Sequence, residues 1–426
     1  MQEEYLHYVW RMKRLDFNKL YLSNSSHSKV HVKEIGWYNL DAGPDFFNGT
    51  VDIDGILWSG NIEMHINSSD WYAHKHHLDP AYDNVVLHVV YNHDQEVYVD
   101  DRALPTIELK HLIDEQHLSL YESIAKADFR VPCYAHVPKL KFSLLQQINV
   151  SFVHRIERKG LALLQDVSEV SKNKGGLFMA ALFKAVGGRT NKLPMLELAQ
   201  LIPLNVFYKE KWDLTRLEAL LYGCAGMLND DIKDPYYLEL VQQWNLIKNK
   251  HQLQEMRKTA WKYSGMRPPS FPTFLIAQLA AIFYQLDYSD LNLSSSEQII
   301  SKISNMDSGC INSYWKNHYV FGKISRSIRA LKFSPILKNN LIINGIVPYL
   351  LALKHHESVF SYSDTAIALL ESYPAEQNKV TKYWGKLGFL AQNALESQGL
   401  LELNNEFCKF NKCLSCKVGC EILEGK

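Results

Sequence analysis

An Asp-Gly pair at positions 54 and 55 separates two runs in which apolar and polar residues alternate. The first run is NGTVDI, residues 48–53, and the second is ILWSGNIEMHI, residues 56–66. Alternation with a period of two is typical of strands. An Asp-Gly pair between two such runs predicts a tight β-hairpin, because the turn requires positive φ angles. The two runs are therefore expected to be antiparallel neighbours in a sheet.

Other segments extend this sheet and add a helical region. VHVKEIGWY, residues 30–38, is a strand candidate, and VVLHVVY, residues 85–91, is predicted to be a buried strand because β-branched residues dominate it. Residues 3–20 have the spacing of an amphipathic helix, and apolar residues after about residue 140 have helical spacing. The predicted fold class is α+β, with a mixed α/β sheet domain over residues 1–135, a large all-α domain over residues 140–405 and a short Cys-rich tail over residues 406–426.

Composition restricts the class of protein. The chain has 426 residues, of which 46% are hydrophobic and 22% charged, as in ordinary globular proteins. The N-terminus has no apolar signal segment. The longest apolar run, residues 271–286, contains two glutamines and is predicted to be a buried helix rather than a membrane span. A cytoplasmic location without membrane contact is expected.

The net charge of zero conceals an uneven distribution. Residues 1–130 contain 11 Lys and Arg against 21 Asp and Glu, together with 11 of the 17 histidines, whereas the remainder contains 35 Lys and Arg against 25 Asp and Glu. Two domains of unequal composition would account for this. The sharper interpretation is an acidic, His-rich reaction centre beside a basic platform for an anionic polymer.

Two acidic residues flank the predicted hairpin strands. Asp45 precedes the first strand, in GPDF, and Glu63 lies in the second. Two carboxylates held together repel each other unless a cation compensates, and hard divalent ions such as Mg²⁺ or Mn²⁺ accept such ligands. Because side chains alternate along a strand, Glu63 and His65 share one face. Asp45, Glu63 and His65 are the predicted catalytic residues, and the two acids are also predicted metal ligands.

A His-rich segment follows the second hairpin strand. SDWYAHKHHLDPAYD contributes His74 and His76, and His88 lies within the next strand. These three histidines are further candidate metal ligands. The alternatives are a chance cluster on the surface and, for His88, a core histidine with satisfied hydrogen bonds.

The order helix, three strands, connecting segment, strand resembles the PD-(D/E)xK nuclease superfamily, with Asp45 before the hairpin and Glu63-x-His65 on its second strand. The resemblance implies a restriction-endonuclease-like sheet domain and cleavage of nucleic acid with Mg²⁺ or Mn²⁺. Glu3 or Glu4 would be the acidic residue that many of these enzymes carry on the first helix. The chain departs at His65, where the superfamily usually has lysine, and a neutral histidine can act as a base or as a further ligand.

A second resemblance covers nearly the whole chain. GPDF, GNIEMHINSSDWYAHKHHLDPAYDNVVLHVVY, the Pro-Cys at 132–133 and KCLSC near the C-terminus are similar to a bacterial family known as domain-of-unknown-function family 2851. This resemblance implies a bacterial source and carries no activity with it.

Four of the seven cysteines lie within 13 residues near the C-terminus. Their spacing is C-x4-C-x2-C-x3-C, and they are Cys408, Cys413, Cys416 and Cys420. Thiolates this close, around a C-x-x-C core, predict a metal site that holds zinc or, alternatively, an iron–sulfur cluster. Some nucleases of the superfamily above carry an iron–sulfur staple with one upstream cysteine, and by that resemblance Cys133 could replace Cys408 or Cys420.

Basic residues recur every three positions in GKISRSIRALK, at Lys323, Arg326 and Arg329. On a helix they would form a broad basic face that could contact the phosphates of a nucleic acid. A solvated helix face is the alternative.

Three functions are compatible with these patterns. The leading hypothesis is a Mg²⁺- or Mn²⁺-dependent phosphodiesterase that acts on nucleic acid, in which His65 orients or deprotonates the attacking water. The second is a hydrolase of another class, with histidines around zinc or iron. The third is a scaffold that binds nucleic acid or protein and has lost both the lysine and the activity.

Overall fold

The computed structural model describes residues 1–39, 41–99, 101–126, 130–290 and 295–425, and of residues 25–27 it describes only the backbone. The chain forms two compact units. The first comprises Met1–Gln147 together with Asn404–Lys426, and the second comprises Ile148–Leu403. In this division the Cys-rich segment belongs to the same unit as the N-terminal strands.

The first unit is built on a mixed sheet. Its strands are β1 (Tyr21–Leu22), β2 (Ser25–Glu34), β3 (Trp37–Tyr38), β4 (Phe46–Ile53), β5 (Ile56–Asn67), β6 (Val85–Asn92), β7 (Tyr98–Val99), β8 (Arg102–Ala103) and β9 (Thr106–Glu108). In the part of the chain that is described, the sheet order is β2-β1-β9-β6-β5-β4-β3. Strand β2 also pairs with β4, so the sheet closes on itself. Strands β7 and β8 form a separate hairpin. The β5–β6 and β6–β9 pairs are parallel.

The predicted hairpin is confirmed. Ile53 pairs with Ile56 at the end of the β4–β5 ladder. The turn residues Asp54 and Gly55 have φ angles of 50° and 86°, the left-handed values that a two-residue hairpin turn requires. The side chain of Asp52 supports the turn by accepting a hydrogen bond from the N–H of Gly55 at 2.9 Å. This turn sets the register of the two strands that carry the candidate site.

Helix α1 (Glu3–Arg11) is shorter than the helix predicted over residues 3–20. The chain leaves the helical path at Lys13, whose φ is 52°, and Phe17–Lys19 forms only a 3₁₀ turn. One face of α1 is buried and packs against β5. Because residues i and i+4 lie on the same side of a helix, Glu3 and His7 point in the same direction.

The predicted buried strand over residues 85–91 is confirmed as β6. Between β5 and β6 the chain forms helix α2 (Asp70–Ala73) and two 3₁₀ turns, His76–Leu78 and Pro80–Tyr82. Helix α3 (Glu115–Ala125) follows the last strand of the sheet. The crossover from β5 to its parallel neighbour therefore carries the His-rich segment.

The C-terminal segment is tied to the rest of the first unit by hydrogen bonds. Arg11 of α1 donates to the carbonyl of Leu414 at 3.3 Å. The N–H of Lys417 donates to the side-chain oxygen of Gln147 at 2.8 Å. The segment ends in a short helix, Lys417–Leu423, which packs against α3.

The second unit is helical, as predicted for this part of the chain. The described helices are α4 (Lys141–Asp166, which begins in the first unit), α5 (Lys174–Gly187), α6 (Lys192–Leu201), α7 (Leu204–Glu210), α8 (Leu214–Cys224), α9 (Pro235–His251), α10 (Pro272–Gln285), α11 (Ser296–Ser304), α12 (Pro335–Asn340), α13 (Val347–Glu357), α14 (Ser361–Ser372), α15 (Lys379–Lys386) and α16 (Ala394–Glu402), with a π-helical segment, Leu341–Ile346, between α12 and α13. Helix α10 confirms the buried helix predicted over residues 271–286. Within the described residues, Pro335–Glu357 has the length and hydropathy of a membrane span. However, 72% of its most apolar 18-residue stretch is buried inside the protein, as in a core helix.

The helix predicted through the basic residues of GKISRSIRALK is wrong. Two short strands, β10 (His318–Val320) and β11 (Lys323–Ile324), form a hairpin there, and Gly322 in its turn has a φ of 69°. No helix is assigned until Pro335. The prediction failed because basic residues every three positions do not create the apolar stripe that holds a helix to a core.

The hairpin turn can be tested by substitution at Gly55. Its φ is positive and a Cβ there would meet no atom within 4 Å, so any penalty for Gly55→Ala comes from the backbone alone. We expect Gly55→Ala to lower the free energy of unfolding by about 1–2 kcal/mol in urea denaturation. Asp54→Asn is the matched control, because asparagine tolerates this conformation, and it should change stability by less than about 0.5 kcal/mol. Equal effects of the two substitutions would contradict the turn assignment.

Candidate metal centre

Asp45 and Glu63 hold each other in place through the backbone. The N–H of Asp45 donates to Glu63 Oε2 at 3.1 Å, and the N–H of Met64 donates to Asp45 Oδ2 at 2.9 Å. Asn39 fixes the turn before β4, because its side chain donates to the carbonyl of Pro44 at 3.0 Å. The hairpin therefore brings the two predicted acids into direct contact, with Glu63 buried.

Two histidines contact Glu63, and a third, the exposed His74, contacts one of them. His76 Nε2 lies 3.2 Å from Glu63 Oε1, and His65 Nε2 lies 3.6 Å from the same oxygen. His74 Nδ1 is 3.1 Å from His65 Nε2. The nitrogen atoms that the three histidines offer all lie within 4.8 Å of one another. We call Glu63, His65, His74 and His76 the histidine group.

His88 lies behind His65 and is not part of the histidine group. Its Nε2 is 2.8 Å from His65 Nδ1, and both side chains are buried. The other nitrogen of His88, Nδ1, has no hydrogen-bond partner among the described residues. His88 is therefore in position to orient the ring of His65 rather than to bind the same ion.

Helix α1 supplies a second group beside the first. The ligand atoms of Glu3, His7 and Asp45 lie within 4.8 Å of one another, and we call these residues the acidic group. His7 Nε2 is 3.2 Å from Asp45 Oδ2 and 3.8 Å from Glu3 Oε1. Glu3 was one of two candidates from the nuclease resemblance, whereas His7 was missed. The signal that could have found His7 is its i, i+4 spacing from Glu3 on the face of a predicted helix.

Burial controls the protonation of the centre. Burial and then the charge of Asp45 raise the pKa of Glu63 from 4.5 to about 9, and the same two causes raise that of Glu3 to about 7. Burial and then the neighbouring histidines lower the pKa of His65 to about 2 and that of His88 to about 3. At neutral pH the imidazoles of His65 and His88 are therefore uncharged, and Glu63 retains its proton unless a cation compensates its charge.

Aromatic rings enclose one side of the histidine group. Tyr82 stacks on His76 with the ring centroids 3.8 Å apart. Trp71 of α2 meets the same imidazole edge-on at 5.4 Å, and it is fully buried. These contacts fix the orientation of His76 and keep water away from one side of Glu63.

The C-terminal cysteines lie near Cys133 in the first unit. Cys133, Cys413 and Cys416 are buried, and Cys408 and Cys420 are half-buried. Burial raises the pKa of Cys413 to about 12, with further contributions from Cys133 and Cys416. Cys133 also raises the pKa of Cys408. The sulfur atoms do not converge as tightly as the two groups above, which are the candidate ligand sets in the described part of the chain.

The three predicted nucleic-acid residues do not form one basic face. Lys323 and Arg326 are exposed. Arg329 instead donates from Nε to the carbonyl of Trp315 at 2.6 Å and from Nη2 to that of His318 at 3.0 Å. Arg329 therefore stabilises the loop that follows β11.

These features define an α+β protein whose strand-rich unit contains a buried centre of carboxylates and imidazoles. A family model described as "Protein of unknown function (DUF2851)" matches residues 3–379, and the chain belongs to this family. The resemblance to domain-of-unknown-function family 2851 is thereby confirmed. The comparison with curated proteins found no match, and neither did the comparison with solved structures.

Replacing Glu63 with glutamine should make the metal-free protein less sensitive to alkaline pH. Because the pKa of Glu63 is higher in the folded state, about 9, than its ordinary 4.5, the folded protein binds this proton more tightly. The resulting stability is fully present below pH 4.5 and is lost as the pH rises towards 9. In the presence of a chelator, the melting temperature of Glu63→Gln should exceed that of the wild type by a margin that grows with pH.

The control for this measurement is Glu34→Gln, which removes an exposed carboxylate from β2 of the same sheet. Its melting temperature should differ from that of the wild type by a margin that does not depend on pH. A Glu63→Gln margin that shrinks as the pH rises would contradict the raised pKa of Glu63.

Proposed function

We propose that this protein is a metal-dependent phosphodiesterase that acts on nucleic acid. The observation that carries the proposal is the buried carboxylate of Glu63, which faces the Nε2 atoms of His65 and His76 and accepts the N–H of Asp45. No Lys or Arg among the described residues forms an ion pair with Glu63. Burial and the charge of Asp45 keep this carboxyl group protonated, and His7, whose pKa the hydrogen bond to Asp45 raises against the effect of burial, offsets that only in part. A divalent cation would supply the counter-charge that lets Glu63 ionise.

The donor atoms favour a transition metal. The histidine group offers three imidazole nitrogens and one carboxylate oxygen. Mg²⁺ prefers oxygen ligands and retains water, whereas imidazole suits Zn²⁺ and Fe²⁺, and carboxylate oxygens suit Mn²⁺. We therefore assign Mn²⁺ or Zn²⁺ to the histidine group in preference to Mg²⁺. The acidic group offers a second cation position beside it.

The choice of a phosphodiester substrate rests on the order of the elements. Helix α1 is followed by the antiparallel strands β2, β4 and β5 and then by β6, which is parallel to β5. Asp45 precedes β4 and Glu63 lies in β5. The resemblance to the PD-(D/E)xK nuclease superfamily implies this order and these positions for the acids. A restriction-endonuclease-like core, extended by β1 and β9, is proposed on this basis.

His65 occupies the position of the usual lysine without its charge. Since burial and the neighbouring histidines hold its pKa near 2, we infer that it is a metal ligand. For His65 Nε2 to bind a cation, the ring proton must lie on Nδ1, from which it can be donated to His88 Nε2, 2.8 Å away. A cation in this group would lower the pKa of a bound water, so that a hydroxide nucleophile is present near neutral pH.

The proposal predicts metal-dependent cleavage of nucleic acid by the full-length protein. A fluorescent DNA or RNA oligonucleotide should be cleaved in Mn²⁺ or Zn²⁺ and remain intact in a chelator. His76→Ala and Glu63→Gln should each reduce the cleavage rate by about 100-fold or more. Even the loss of a residue that only hydrogen-bonds to a metal ligand typically reduces metal affinity or activity by about 10- to 100-fold. His77→Ala is the control, because His77 is exposed and its ring contacts that of Tyr72, outside the group.

His65→Lys separates the two roles available at this position. If His65 is a ligand, the variant should lose Mn²⁺ binding in isothermal titration calorimetry together with cleavage. Cleavage retained by His65→Lys in Mg²⁺ would overturn the ligand role, because lysine would then act as it does in the nuclease superfamily. Wild-type protein that binds Mn²⁺ or Zn²⁺ but cleaves neither DNA nor RNA would contradict the phosphodiesterase and favour a hydrolase of another class.

We also propose that the C-terminal cysteines hold one zinc ion or one iron–sulfur cluster. The support is their C-x4-C-x2-C-x3-C spacing and the nearness of Cys133, whose charge would raise the pKa values of Cys408 and Cys413. Burial raises these pKa values while the thiols are unligated. A cation would reverse this effect, because thiolate is the form that binds metal.

Elemental analysis of anaerobically purified protein should therefore find one zinc, or the iron of one cluster, per chain, and an absorbance scan distinguishes the two. Cys413→Ser combined with Cys416→Ser should abolish this metal and lower the melting temperature, while Mn²⁺ binding at the histidine group persists. Cys310→Ser, in the second unit, should leave the metal content unchanged. Protein without zinc or iron, and with all four thiols freely titratable, would refute the assignment.

A further inference from the structure

The helical unit contains a cavity of about 410 Å³ whose wall is strongly basic. Six cationic side chains line it, contributed by α4, α5, α6 and the turn before α6: Arg155, Arg158, Lys159, Lys184, Arg189 and Lys192. None of its lining residues is an Asp or a Glu. Since cations on separate elements converge on one space, the cavity concentrates positive potential in a way that a scattered surface charge does not.

Carboxylates compensate only part of this charge. Arg155 and Arg158 share the buried carboxylate of Glu402, at 3.3 Å and 2.6 Å. Lys184 pairs with Asp166. In contrast, the described residues contain no carboxylate within ion-pairing distance of Arg189 and Lys192, two exposed cations of the lining. The cavity therefore has an excess of positive charge.

Two hydrogen bonds hold the side chain of Lys159 in the basic wall of the cavity. Its Nζ donates to Asn344 Oδ1 at 2.8 Å and to Gln398 Oε1 at 2.7 Å, which are neutral acceptors. Burial and then the charge of Arg155 lower the pKa of Lys159 to about 7. The charge of Glu376 opposes this shift only in part, so an anion in the cavity would further stabilise the ammonium form of Lys159.

Local backbone geometry adds to the attraction. Lys192 is the first residue of α6, a helix of ten residues. The first N–H groups of a helix have no partner within the helix, and the macrodipole makes that end positive. A negatively charged group in the cavity would be favoured by this helix end as well as by the side chains.

We propose that this cavity binds a phosphate group, carried either by a free nucleotide or by the end of a nucleic-acid strand. The guanidinium fork of Arg189 and the ammonium group of Lys192, with the other cations of the wall around them, match the several oxygen acceptors and the double negative charge of a terminal phosphate. The volume is within the usual range of small-molecule sites and exceeds what a lone carboxylate requires. This site lies in the second unit and does not depend on the proposed metal chemistry of the first.

The full-length protein is titrated with four probes: pyrophosphate, AMP, a 5′-phosphorylated oligonucleotide and the same oligonucleotide with a 5′-hydroxyl. A chelator is present so that the proposed metal centre does not contribute to binding. Arg189→Ala combined with Lys192→Ala should weaken binding of a phosphorylated probe by about tenfold or more, as expected when charge-assisted contacts are removed. Neither residue is in an ion pair within the described chain, so the variant should fold. Lys233→Ala combined with Lys250→Ala removes two exposed cations elsewhere in the unit and should leave affinity unchanged.

The probes distinguish the two sources of the phosphate. Binding of pyrophosphate and AMP identifies a small phosphorylated ligand, and binding of only the 5′-phosphorylated oligonucleotide identifies a strand end. If no phosphorylated probe binds, or if the Arg189/Lys192 and Lys233/Lys250 variants lose affinity equally, the proposal is overturned. Glu63→Gln should bind these probes as the wild type does, so a failure of the metal proposal leaves this result interpretable.

Discussion

The candidate metal centre depends on two backbone hydrogen bonds that cross between β5 and the turn before β4. Asp45 donates its N–H to Glu63, and Met64 donates its N–H to Asp45, so each acid is held by the segment that carries the other. Hydrogen bonds of this kind stabilise a carboxylate, whereas burial and the repulsion between two carboxylates destabilise it. For Glu63 the destabilising effects are larger, and its pKa is raised. The backbone thus fixes the positions of the acids but leaves their charge to be balanced by something else.

The histidines around Glu63 provide ligands without providing that charge. Lysine at position 65 would place a permanent cation beside the carboxylate, and the pair could satisfy itself. His65 is instead held neutral, and its ring is aligned by His88 on one side and by His74 on the other. Neutral imidazoles increase the number of donor atoms that an ion can use, and they leave Glu63 without a fixed cationic partner, so that it can ionise when a cation binds. Histidine in place of the usual lysine therefore fits its surroundings, because His74, His76 and His88 all contact the ring of His65.

Local signals predicted those parts of the fold and the site that local chemistry determines. The Asp54-Gly55 turn, strand β6 and helix α10 follow from turn residues, β-branched residues and an apolar run, and all three are present. The contact between Asp45 and Glu63 followed from the hairpin. The i, i+4 spacing places His7 on the same helix face as Glu3, but its approach to Asp45 depends on how α1 packs on β5, which its neighbours in sequence do not determine. For Arg329 a local pattern predicted too much. Its spacing from Lys323 and Arg326 suggested an exposed basic face, but its guanidinium lies 3.3 Å from the ring centre of Phe274 and stabilises the loop after β11.

The uneven charge of the sequence has a structural counterpart in each unit. The first unit buries carboxyl groups among uncharged imidazoles. The second unit lines a cavity with cations that outnumber their carboxylate partners. A charge withdrawn from water costs several kcal/mol unless an opposite charge compensates it, so neither arrangement is explained by folding stability alone. Each unit is therefore suited to the ligand of opposite sign that we propose for it, a divalent cation in the first and a phosphate in the second. Because the two sets of residues belong to separate compact units, either ligand site can be removed by substitution without removing the other, and the two need not serve a single step of one reaction.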